Sequence, residues 1–483
     1  MARELPDKRL LGFATLASVI FLSILQFSAL ASSPLIIRSS GTIESGLFFV
    51  VALDGSGDFS NIQRAIDAVP EGEYGDILVK QGTYVLNPVQ KWLPNYIVAK
   101  PRIRLRGEGI DKTIIVMSPP EVALGVRHDV ITTEADVFDF TLQDLTVNQN
   151  APEPDNAGSS IIAFRGGTAR NVIIQRVKVI NGFGAAIGID SFQDVTVKDC
   201  VVSNTWSGVV YKTGDSLLIT GSDFTDIGGN GVNWNGGTAS NIDVEYSTFT
   251  RCSDTGVGYA ASGVISDVSV KYCDFINCHM GFSHIINLHI EGNTVTHSSA
   301  FQHKGFGIYA DLSQGYSSNV MIINNVVSTY CKRGIALYGV ENGATISGNT
   351  ITMFSSNQVD QVGIVPVRII GSYTIENNTV IGGDYSVYWE GWGNSDSSPV
   401  IRENNFYDFD KISIYDGGYG QGTTLVENNL IWDRRVPFLS TYGIRTDRAW
   451  TIRYNHVYAG SIDFIYAPQA SLSGNTFTEP NGY

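Results

Sequence analysis

A six-residue motif that returns at a regular interval constrains the fold of this chain more than any other feature. The motif reads aliphatic, any, any, Asn, any, aliphatic, and its asparagines are Asn293, Asn325, Asn349, Asn378, Asn405, Asn429, Asn455 and Asn475. The same frame continues upstream with Leu145, Val177, Cys200, Ser222, Ser247 and Cys273 at the asparagine position. The resulting period of about 25 residues is typical of a solenoid, in which each repeat buries its apolar face only against its neighbours.

Each repeat is predicted to consist of short strands. A second alternating run follows each motif after a loop, as in Gly208–Tyr211, Gly231–Trp234 and Gly334–Leu337. Strands this short, separated by glycine or asparagine corners at a fixed period, fit parallel coils stacked about 4.8 Å apart better than hairpins. Asparagine suits such a corner because it tolerates left-handed backbone geometry and because its amide can hydrogen-bond to the next coil. The sequence therefore predicts an all-β fold, a parallel β-helix.

The amino-terminal part of this domain is predicted to begin with a helix that covers the open end of the first coil. Ser60 and Gln63 have the spacing of a capping box. The following apolar residues lie on one helical face: Ile62, Ala65, Ile66 and Val69.

Several segments of the first coils resemble the opening of pectin methylesterases and related pectate-lyase-like proteins. They are Asp54–Phe59, Gly82–Tyr84, Arg106–Gly109 and Thr113–Ile115. With the asparagine repeat, they make the chain similar to the pectin-lyase-like superfamily from about residue 48 onward. The resemblance implies a single-stranded, right-handed parallel β-helix whose substrate groove runs along the outer face of the first parallel sheet. It implies nothing about the particular chemistry.

The chain divides into three segments. Residues 1–31 contain basic residues, an apolar run from Leu10 to Leu25 and the sequence Ala29-Leu30-Ala31, a pattern shared by signal peptides and membrane anchors. Residues 32–47 are a linker, and residues 48–483 are one β-helix domain, because no linker interrupts the period. Both interpretations of the first segment place the β-helix outside the cell, secreted or anchored at the surface.

The formal net charge of −15 is spread along the whole chain. It disfavours nucleic acid and anionic membranes as partners, and it disfavours a polyanionic ligand unless basic residues gather locally. The seven histidines form no zinc pattern, and no calcium-binding repeat is present although acidic oxygens are plentiful. The sequence thus predicts no cofactor, and calcium is unsupported.

One candidate catalytic group lies on the outer face of the groove sheet. If Val209 and Tyr211 point inward, then Arg165, Asp190 and Lys212 form one outward column over successive coils. Asn235 continues this column, and Asn233 is the preceding outward residue. Arg165 or Lys212 could hold a uronate carboxylate while the other works with Asp190 in proton transfer. The alternative interpretation is a surface ion-pair ladder of little energetic value.

A second candidate surface, for binding sugar, lies further along the same face. It consists of Tyr309, Asp311, Tyr338, Tyr388, Glu390 and Trp392. Aromatic rings can stack on sugars and carboxylates can bind their hydroxyls. Asp311 and Glu390 are three coils apart, about 14 Å by strand spacing, which is too far for a hydrolytic acid pair. This surface therefore indicates binding.

Among the five cysteines, Cys252 and Cys278 occupy equivalent positions in adjacent coils, so a disulfide between them is predicted. Cys200 and Cys273 are predicted to be buried small residues. At the carboxyl end, too few residues follow the last motif to cover the final coil, which favours homo-oligomer formation through that edge.

Two classes of function remain open. The first is an extracellular enzyme acting on polysaccharide, of the lyase or epimerase type, because such reactions need one base and a neutralised carboxylate. The second is a non-catalytic β-helix that binds glycan or assembles with itself at the cell surface. The signature motifs of pectin methylesterases, polygalacturonases and pectate lyases are absent, which favours the second class. The usual occupation of the superfamily that the chain resembles favours the first class, which is the preferred interpretation, with the second as the alternative.

Overall fold

The computed structural model describes residues 46–86, 96–118, 129–151, 154, 159–260, 263–300, 305–311, 315–355, 360–390, 398–417, 423–435, 442–458 and 463–478. The predicted signal peptide or anchor at residues 1–31, most of the linker and Trp392 lie outside these residues. The first strand begins at Leu47, one residue before the predicted start of the domain.

The described chain is a succession of short strands with one helix. In the first third the strands are β1 (Leu47–Val51), β2 (Gly75–Val79), β3 (Gly82–Leu86), β4 (Ile97–Val98), β5 (Ile103–Gly107), β6 (Thr113–Met117), β7 (Ile131–Thr132), β8 (Val137–Phe138), β9 (Thr141–Asn148), β10 (Ser160–Phe164), β11 (Ala169–Lys198), β12 (Val201–Thr220), β13 (Asp223–Ile227) and β14 (Val232–Trp234). The next strands are β15 (Gly237–Glu245), β16 (Thr248–Cys252), β17 (Thr255–Ala260), β18 (Gly263–Lys271), β19 (Asp274–Ile276), β20 (His279–Ser283), β21 (Ile285–Glu291), β22 (Thr294–Thr296), β23 (Phe306–Asp311), β24 (Ser317–Ile323), β25 (Val326–Thr329), β26 (Arg333–Ser347), β27 (Thr350–Met353) and β28 (Val362–Ile369). The last are β29 (Tyr373–Glu376), β30 (Thr379–Gly382), β31 (Tyr385–Trp389), β32 (Val400–Arg402), β33 (Asn405–Tyr407), β34 (Ile412–Asp416), β35 (Leu425–Glu427), β36 (Leu430–Trp432), β37 (Tyr442–Arg445), β38 (Thr451–Arg453), β39 (His456–Tyr458), β40 (Asp463–Tyr466), β41 (Ser471–Ser473) and β42 (Thr476–Phe477).

The strands pair in parallel with the equivalent strand of the next coil, which confirms the predicted parallel β-helix. Three sheets run along the solenoid. The groove sheet contains β10, β14, β17, β20, β23, β28, β31, β34, β37 and β40, with parts of β11, β12 and β26. The second sheet includes β15, β18, β21 and β24, and the third includes β13, β16, β19 and β22.

A buried ladder of asparagine amides joins the coils at the corner between the second and third sheets. The side chain of Asn349, for example, donates from Nδ2 to Oδ1 of Asn378 at 2.9 Å and accepts from the Asn325 backbone N at 2.9 Å. Each ladder side chain also donates to a main-chain carbonyl, at Ile322 O for Asn349. Because these groups are removed from water, the ladder satisfies donors and acceptors that the corner would otherwise leave unpaired.

Two details of the predicted corner were wrong. The fifth rung of the ladder is Asn404, which bonds to Asn378 and Asn429, and not Asn405, which is the first residue of β33. The left-handed residue is also not the ladder asparagine but the residue before it, such as Asn324, Asn377 or Glu403 with φ between 56° and 58°. One position supplies the turn and the next supplies the hydrogen bonds.

The interior is filled by stacked apolar side chains. Phe224, Phe249 and Phe275 are fully buried on consecutive coils, with ring centroids 4.9 and 5.0 Å apart and nearly parallel planes. The spacing of the rings is that of the coils, so the same backbone repeat that aligns the ladder also aligns the core.

The amino-terminal helix, α1, spans Ile62–Ala68 and packs Ile62, Ala65 and Ile66 into the same core. The predicted capping box was wrong: Asn61 caps the helix, accepting from the Arg64 backbone N at 3.0 Å. Gln63 instead binds the first coils, because its Oε1 accepts from Val98 N at 2.7 Å. The predicted role of covering the core is confirmed.

All five cysteines are buried free thiols. Cys252 is the last residue of β16, and Cys278 follows the adjacent strand β19, where its Sγ donates to Phe249 O at 3.1 Å. The neighbouring Cys278 thiol and burial hold the pKa of the Cys252 thiol well above its usual range. The predicted neighbourhood is therefore right, but the predicted disulfide is not formed in this structure. Cys200 and Cys273 are buried as predicted, and burial raises the pKa of each thiol to about 12.

The last described coil, with β41 and β42, leaves Leu472 and Phe477 about half exposed. Residues 479–483 lie outside the described part, so association through this edge stays a prediction.

Candidate functional site

The predicted column of polar residues lies along one line on the outer face of the groove sheet. Phe164, Ile189 and Tyr211 are in register on β10, β11 and β12, so the residues that follow them, Arg165, Asp190 and Lys212, occupy equivalent positions. Asn235 extends the column, since Tyr211 pairs with Trp234. The inward neighbours are almost completely buried, which fixes the alternation that turns the column outward.

Asp190 and Lys212 form a direct ion pair at the centre of this column. Lys212 Nζ lies 2.7 Å from Asp190 Oδ1, and the two side chains are 45% and 42% exposed. A pair this open contributes little to stability, but it places an ammonium group and a carboxylate side by side where a ligand can reach both.

Arg165 is held more firmly than the other two. Its guanidinium donates to Ser160 Oγ at 3.1 Å and lies 3.6 Å from the Asp129 carboxylate, and its side chain is only 16% exposed. Its backbone N donates to Thr133 Oγ1 at 2.8 Å. Because Asp129 also accepts from Ser160 N, the preceding coil fixes the direction in which Arg165 points.

Beside the charged column lies a column of smaller residues that opens a cleft of about 510 Å³. Ala163, Gly188, Val210 and Asn233 are in register on four strands. At Gly188 a Cβ atom would lie 2.2 Å from Ser160 Oγ, so a side chain there would displace the hydroxyl that orients Arg165. The absence of a side chain at Gly188 therefore creates room and preserves the arginine contact.

Two polar atoms that line the cleft are buried and have no hydrogen-bond partner in the described structure: Ser159 Oγ and Asn233 Oδ1. Buried polar groups normally have partners, so unmatched ones facing a cleft are suited to sugar hydroxyls. Asn230 also lines the cleft, and its Oδ1 is already used by Thr255, from N at 3.0 Å and from Oγ1 at 2.7 Å.

Trp206 and Asp254 line the same cleft and were not predicted from the sequence. Trp206 is partly exposed and lies against the backbone of Gly228 and Gly229 in the next coil, with Gly229 N donating to Trp206 O at 2.6 Å. Trp206 precedes the groove strand directly, so the signal was an aromatic residue at the edge of a strand that carries a candidate site.

The second predicted surface is an aromatic column whose rings contact one another. Tyr388 and Tyr415 are in register and stack with centroids 5.1 Å apart and planes 9° apart, and Tyr385 stacks on both. Tyr309 lies flat over Gly281, where a Cβ would be 2.4 Å from its ring. Tyr385 and Tyr415 occupy part of the Tyr388 ring, and stacking of the aromatic rings of this surface on sugar stays a prediction.

Tyr338 and Glu390 are brought together on this surface over a buried arginine. Tyr338 donates from its hydroxyl to Glu390 Oε2 at 3.2 Å, and Glu390 Oε1 forms an ion pair with Arg333, which is almost fully buried. Burial raises the pKa of Tyr338 and lowers the pKa of Arg333. Glu390 is therefore occupied by protein partners.

Asp311, the other predicted acid of this surface, is the last residue of β23, and its side chain is not described.

Within the described ranges, no three His, Cys, Asp or Glu side chains are arranged to hold a metal ion. Within the same ranges, no helix combines the length and apolar character that crossing a bilayer requires.

Comparisons with known proteins agree with this architecture. The sequence model described as right handed beta helix region matches residues 140–243 and 185–351. A 127-residue segment is 35% identical to a probable pectinesterase/pectinesterase inhibitor 17 from Arabidopsis thaliana, covering 26% of this chain and 22% of that protein. A 147-residue segment is 31% identical to a pectinesterase/pectinesterase inhibitor from Ficus pumila var. awkeotsang, covering 30% and 23%. The chain thus spans about a fifth of the length of these curated relatives.

Among solved structures, the chain is similar to PfbA, a surface adhesin of Streptococcus pneumoniae, with 16% identity and a TM-score of 0.49 over 75% of this chain and 90% of that one. The parallel coil and the matched family model define the class. The chain is a right-handed parallel β-helix protein, and its residues 140–351 match the right handed beta helix region family model.

Proposed function

We propose that this protein acts on a uronate-containing polysaccharide in the cleft formed by Arg165, Asp190 and Lys212, and that it cleaves the chain by β-elimination. The observation that carries the proposal is the cleft itself. It joins a fixed cation, a carboxylate and an ammonium group in one column, with unmatched polar atoms beside them. The curated relatives that share a segment are named as pectinesterases, which supports a polysaccharide ligand.

In the proposed reaction Arg165 binds the uronate carboxylate, because it is the most firmly oriented cation of the cleft. Neutralising that carboxylate stabilises the carbanion character that develops at C5. Asp190 accepts the C5 proton, the C5–H electron pair becomes the C4–C5 double bond, and the C4–O4 bond breaks. Lys212, paired with Asp190 at 2.7 Å, donates a proton to the departing O4.

An epimerase would use the same first step without a leaving group. Asp190 would remove the C5 proton, and Lys212 would return one to the opposite face of the sugar. The two reactions differ in their products, since only elimination gives an unsaturated sugar that absorbs in the ultraviolet and shortens the chain.

The charges of the cleft narrow the choice of ligand. The two acids that line the cleft, Asp190 and Asp254, equal its two cations, Arg165 and Lys212, and Asp129 behind Arg165 adds a third carboxylate. A uniform polyanion would be repelled by this surplus, whereas a single uronate flanked by neutral or esterified sugars would meet Arg165 alone. The cleft therefore suits a mixed or esterified polysaccharide better than a fully charged one.

The second candidate function is a non-catalytic glycan-binding protein at the cell surface. The observation that favours it is the exposed ion pair of Asp190 and Lys212, since each charge is already neutralised by the other. In that case the cleft binds sugar through hydroxyl contacts and performs no reaction. Both functions imply an extracellular or cell-surface location.

The test is an activity and binding screen against polygalacturonate, partly esterified pectin and neutral glycans, read by ultraviolet absorbance and by calorimetry. We expect unsaturated product from the esterified polymer, lost in Asp190→Asn and in Lys212→Met. The matched control is Asp226→Asn, which breaks a similarly exposed pair with Arg251 on the third sheet. Binding without product in the wild type would refute the enzyme and establish the binding protein.

A further inference from the structure

Far from the cleft on the same sheet, Arg445 is surrounded by three tyrosine rings. Its guanidinium carbon lies 5.5 Å from the Tyr415 ring centroid, 5.3 Å from Tyr442 and 5.8 Å from Tyr466. Tyr415, Arg445 and Tyr466 are in register on β34, β37 and β40, and Tyr442 is on the same strand as Arg445. We call these four residues the arginine cage.

Arg445 has no carboxylate or hydrogen-bond partner among the described residues, unlike the paired arginines of neighbouring coils. Arg402, Arg434 and Arg453 each bind a carboxylate of the coil before. None of the Arg445 nitrogens is among the buried unpaired atoms, so they are open to solvent.

The rings give Arg445 a fixed orientation without neutralising it. Contact with aromatic faces holds a guanidinium in place at exposed sites, while its N–H groups stay free at the edge. The tyrosine hydroxyls of the cage also have no hydrogen-bond partner in the described part of the chain, and they supply further donors. A planar anion that accepts two parallel hydrogen bonds matches this arrangement.

We propose that the arginine cage is a second binding site of this protein, for the carboxylate of a uronic acid. The site rests on the proposed function only for the class of ligand, since it uses none of the residues of the cleft. Nine strand steps separate Lys212 from Arg445 along the groove sheet, about 43 Å at about 4.8 Å per step. One long polysaccharide can therefore occupy both sites, and a short fragment only one.

The experiment measures binding of short oligogalacturonides by calorimetry in wild type, Arg445→Met, Arg445→Lys and Arg402→Met. Arg402→Met removes one charge on the second sheet and is the matched control. We expect about a tenfold weaker association for Arg445→Met, from the loss of a charge-assisted bidentate contact. Arg445→Lys should retain part of the affinity, and Arg402→Met all of it.

A second measurement separates this site from the cleft. Modification of arginines by phenylglyoxal, mapped by mass spectrometry with and without the oligogalacturonide, reports Arg445 and Arg165 individually. Protection of Arg445 in the Asp190→Asn protein supports the cage whatever happens in the cleft. The proposal is overturned if Arg445 is not protected, or if Arg445→Met and Arg402→Met bind equally well. It is also overturned if Arg445→Met weakens binding of a neutral glycan to the same extent.

Discussion

Adjacent asparagines in the sequence should differ sharply in their contribution to stability, because only Asn404 belongs to the buried ladder. Its side chain donates to Ile375 O, Arg402 O and Asn429 Oδ1, each at 2.9 Å, and accepts from Asn378 N at 2.9 Å and Nδ2 at 3.0 Å. Asn404→Ala removes these five contacts, which amount to four full hydrogen bonds because Nδ2 carries two hydrogens. At about 1 kcal/mol net for each hydrogen bond, we expect a loss of about 4 kcal/mol.

Asn405→Ala is the matched control. The Asn405 backbone N donates to Asn378 O at 2.8 Å, and the substitution retains that bond, so the expected change is within about 0.5 kcal/mol. Asn404→Ser should fall between the two, because Ser247 at the same corner accepts from Ser222 N at 3.2 Å and donates to Glu245 O at 2.9 Å.

The assay is urea unfolding followed by intrinsic fluorescence, combined with hydrogen exchange of the peptide containing Asn378. The Asn378 amide loses its acceptor in Asn404→Ala and should exchange faster there, while it stays protected in Asn405→Ala. Equal destabilisation by the two alanine substitutions, or a larger effect at position 405, would refute the assignment of the ladder.

Three further outcomes are expected. Lowering the pH from 6.5 to 4 should decrease the free energy of unfolding of the wild type, measured in urea, by about 3 kcal/mol relative to that of His297→Gln. The reason is that burial lowers the pKa of His297 to about 4 in the folded protein, while the unfolded chain takes up the proton near 6.5. Thiol titration in guanidinium should find five reactive cysteines, and a count of three would show that Cys252 and Cys278 form a disulfide. Gly188→Ala should weaken glycan binding several-fold with little change in thermal stability, since the added Cβ would meet Ser160 Oγ 2.2 Å away; unchanged calorimetric binding would contradict this account of the cleft.

The sign of the pH effect follows from the hydrogen bonds of His297. Its Nε2 lies 3.0 Å from the Cys278 carbonyl and must donate, so Nδ1, 2.8 Å from Thr329 Oγ1, accepts in the neutral ring. The folded protein holds His297 neutral below pH 6.5, where the unfolded chain binds a proton. The free energy of unfolding therefore falls as the pH decreases towards 4, and the full contribution of His297 is present above pH 6.5. If the difference in free energy of unfolding between wild type and His297→Gln does not change over this pH range, the burial argument is contradicted.

The period of the asparagine motif was sufficient to predict the parallel coil, because a buried amide at a constant interval has to meet its counterpart in the next coil. Strand alternation likewise predicted that Arg165, Asp190 and Lys212 share one column, since side chains two apart on a strand face the same way. At the adjacent asparagines the prediction of Asn405 was wrong, although Ile401 three residues before and Phe406 two residues after fit the motif around Asn404. The burial of Asn404 and its bonds to Asn378 and Asn429 establish it as the ladder residue.

Properties that depend on side chains from different coils were decided only by the tertiary structure. Asp129 and Ser160 orient Arg165, and Trp206 borders the cleft, although none of them belongs to the repeated outward column. Likewise, the sequence predicted which tyrosines lie on the groove sheet, but it did not predict the direction of their rings. That direction follows from stacking at the strand spacing, so the rings cover one another and enclose Arg445. Sequence periodicity determines which residues share a face, whereas packing between coils determines which atoms that face presents.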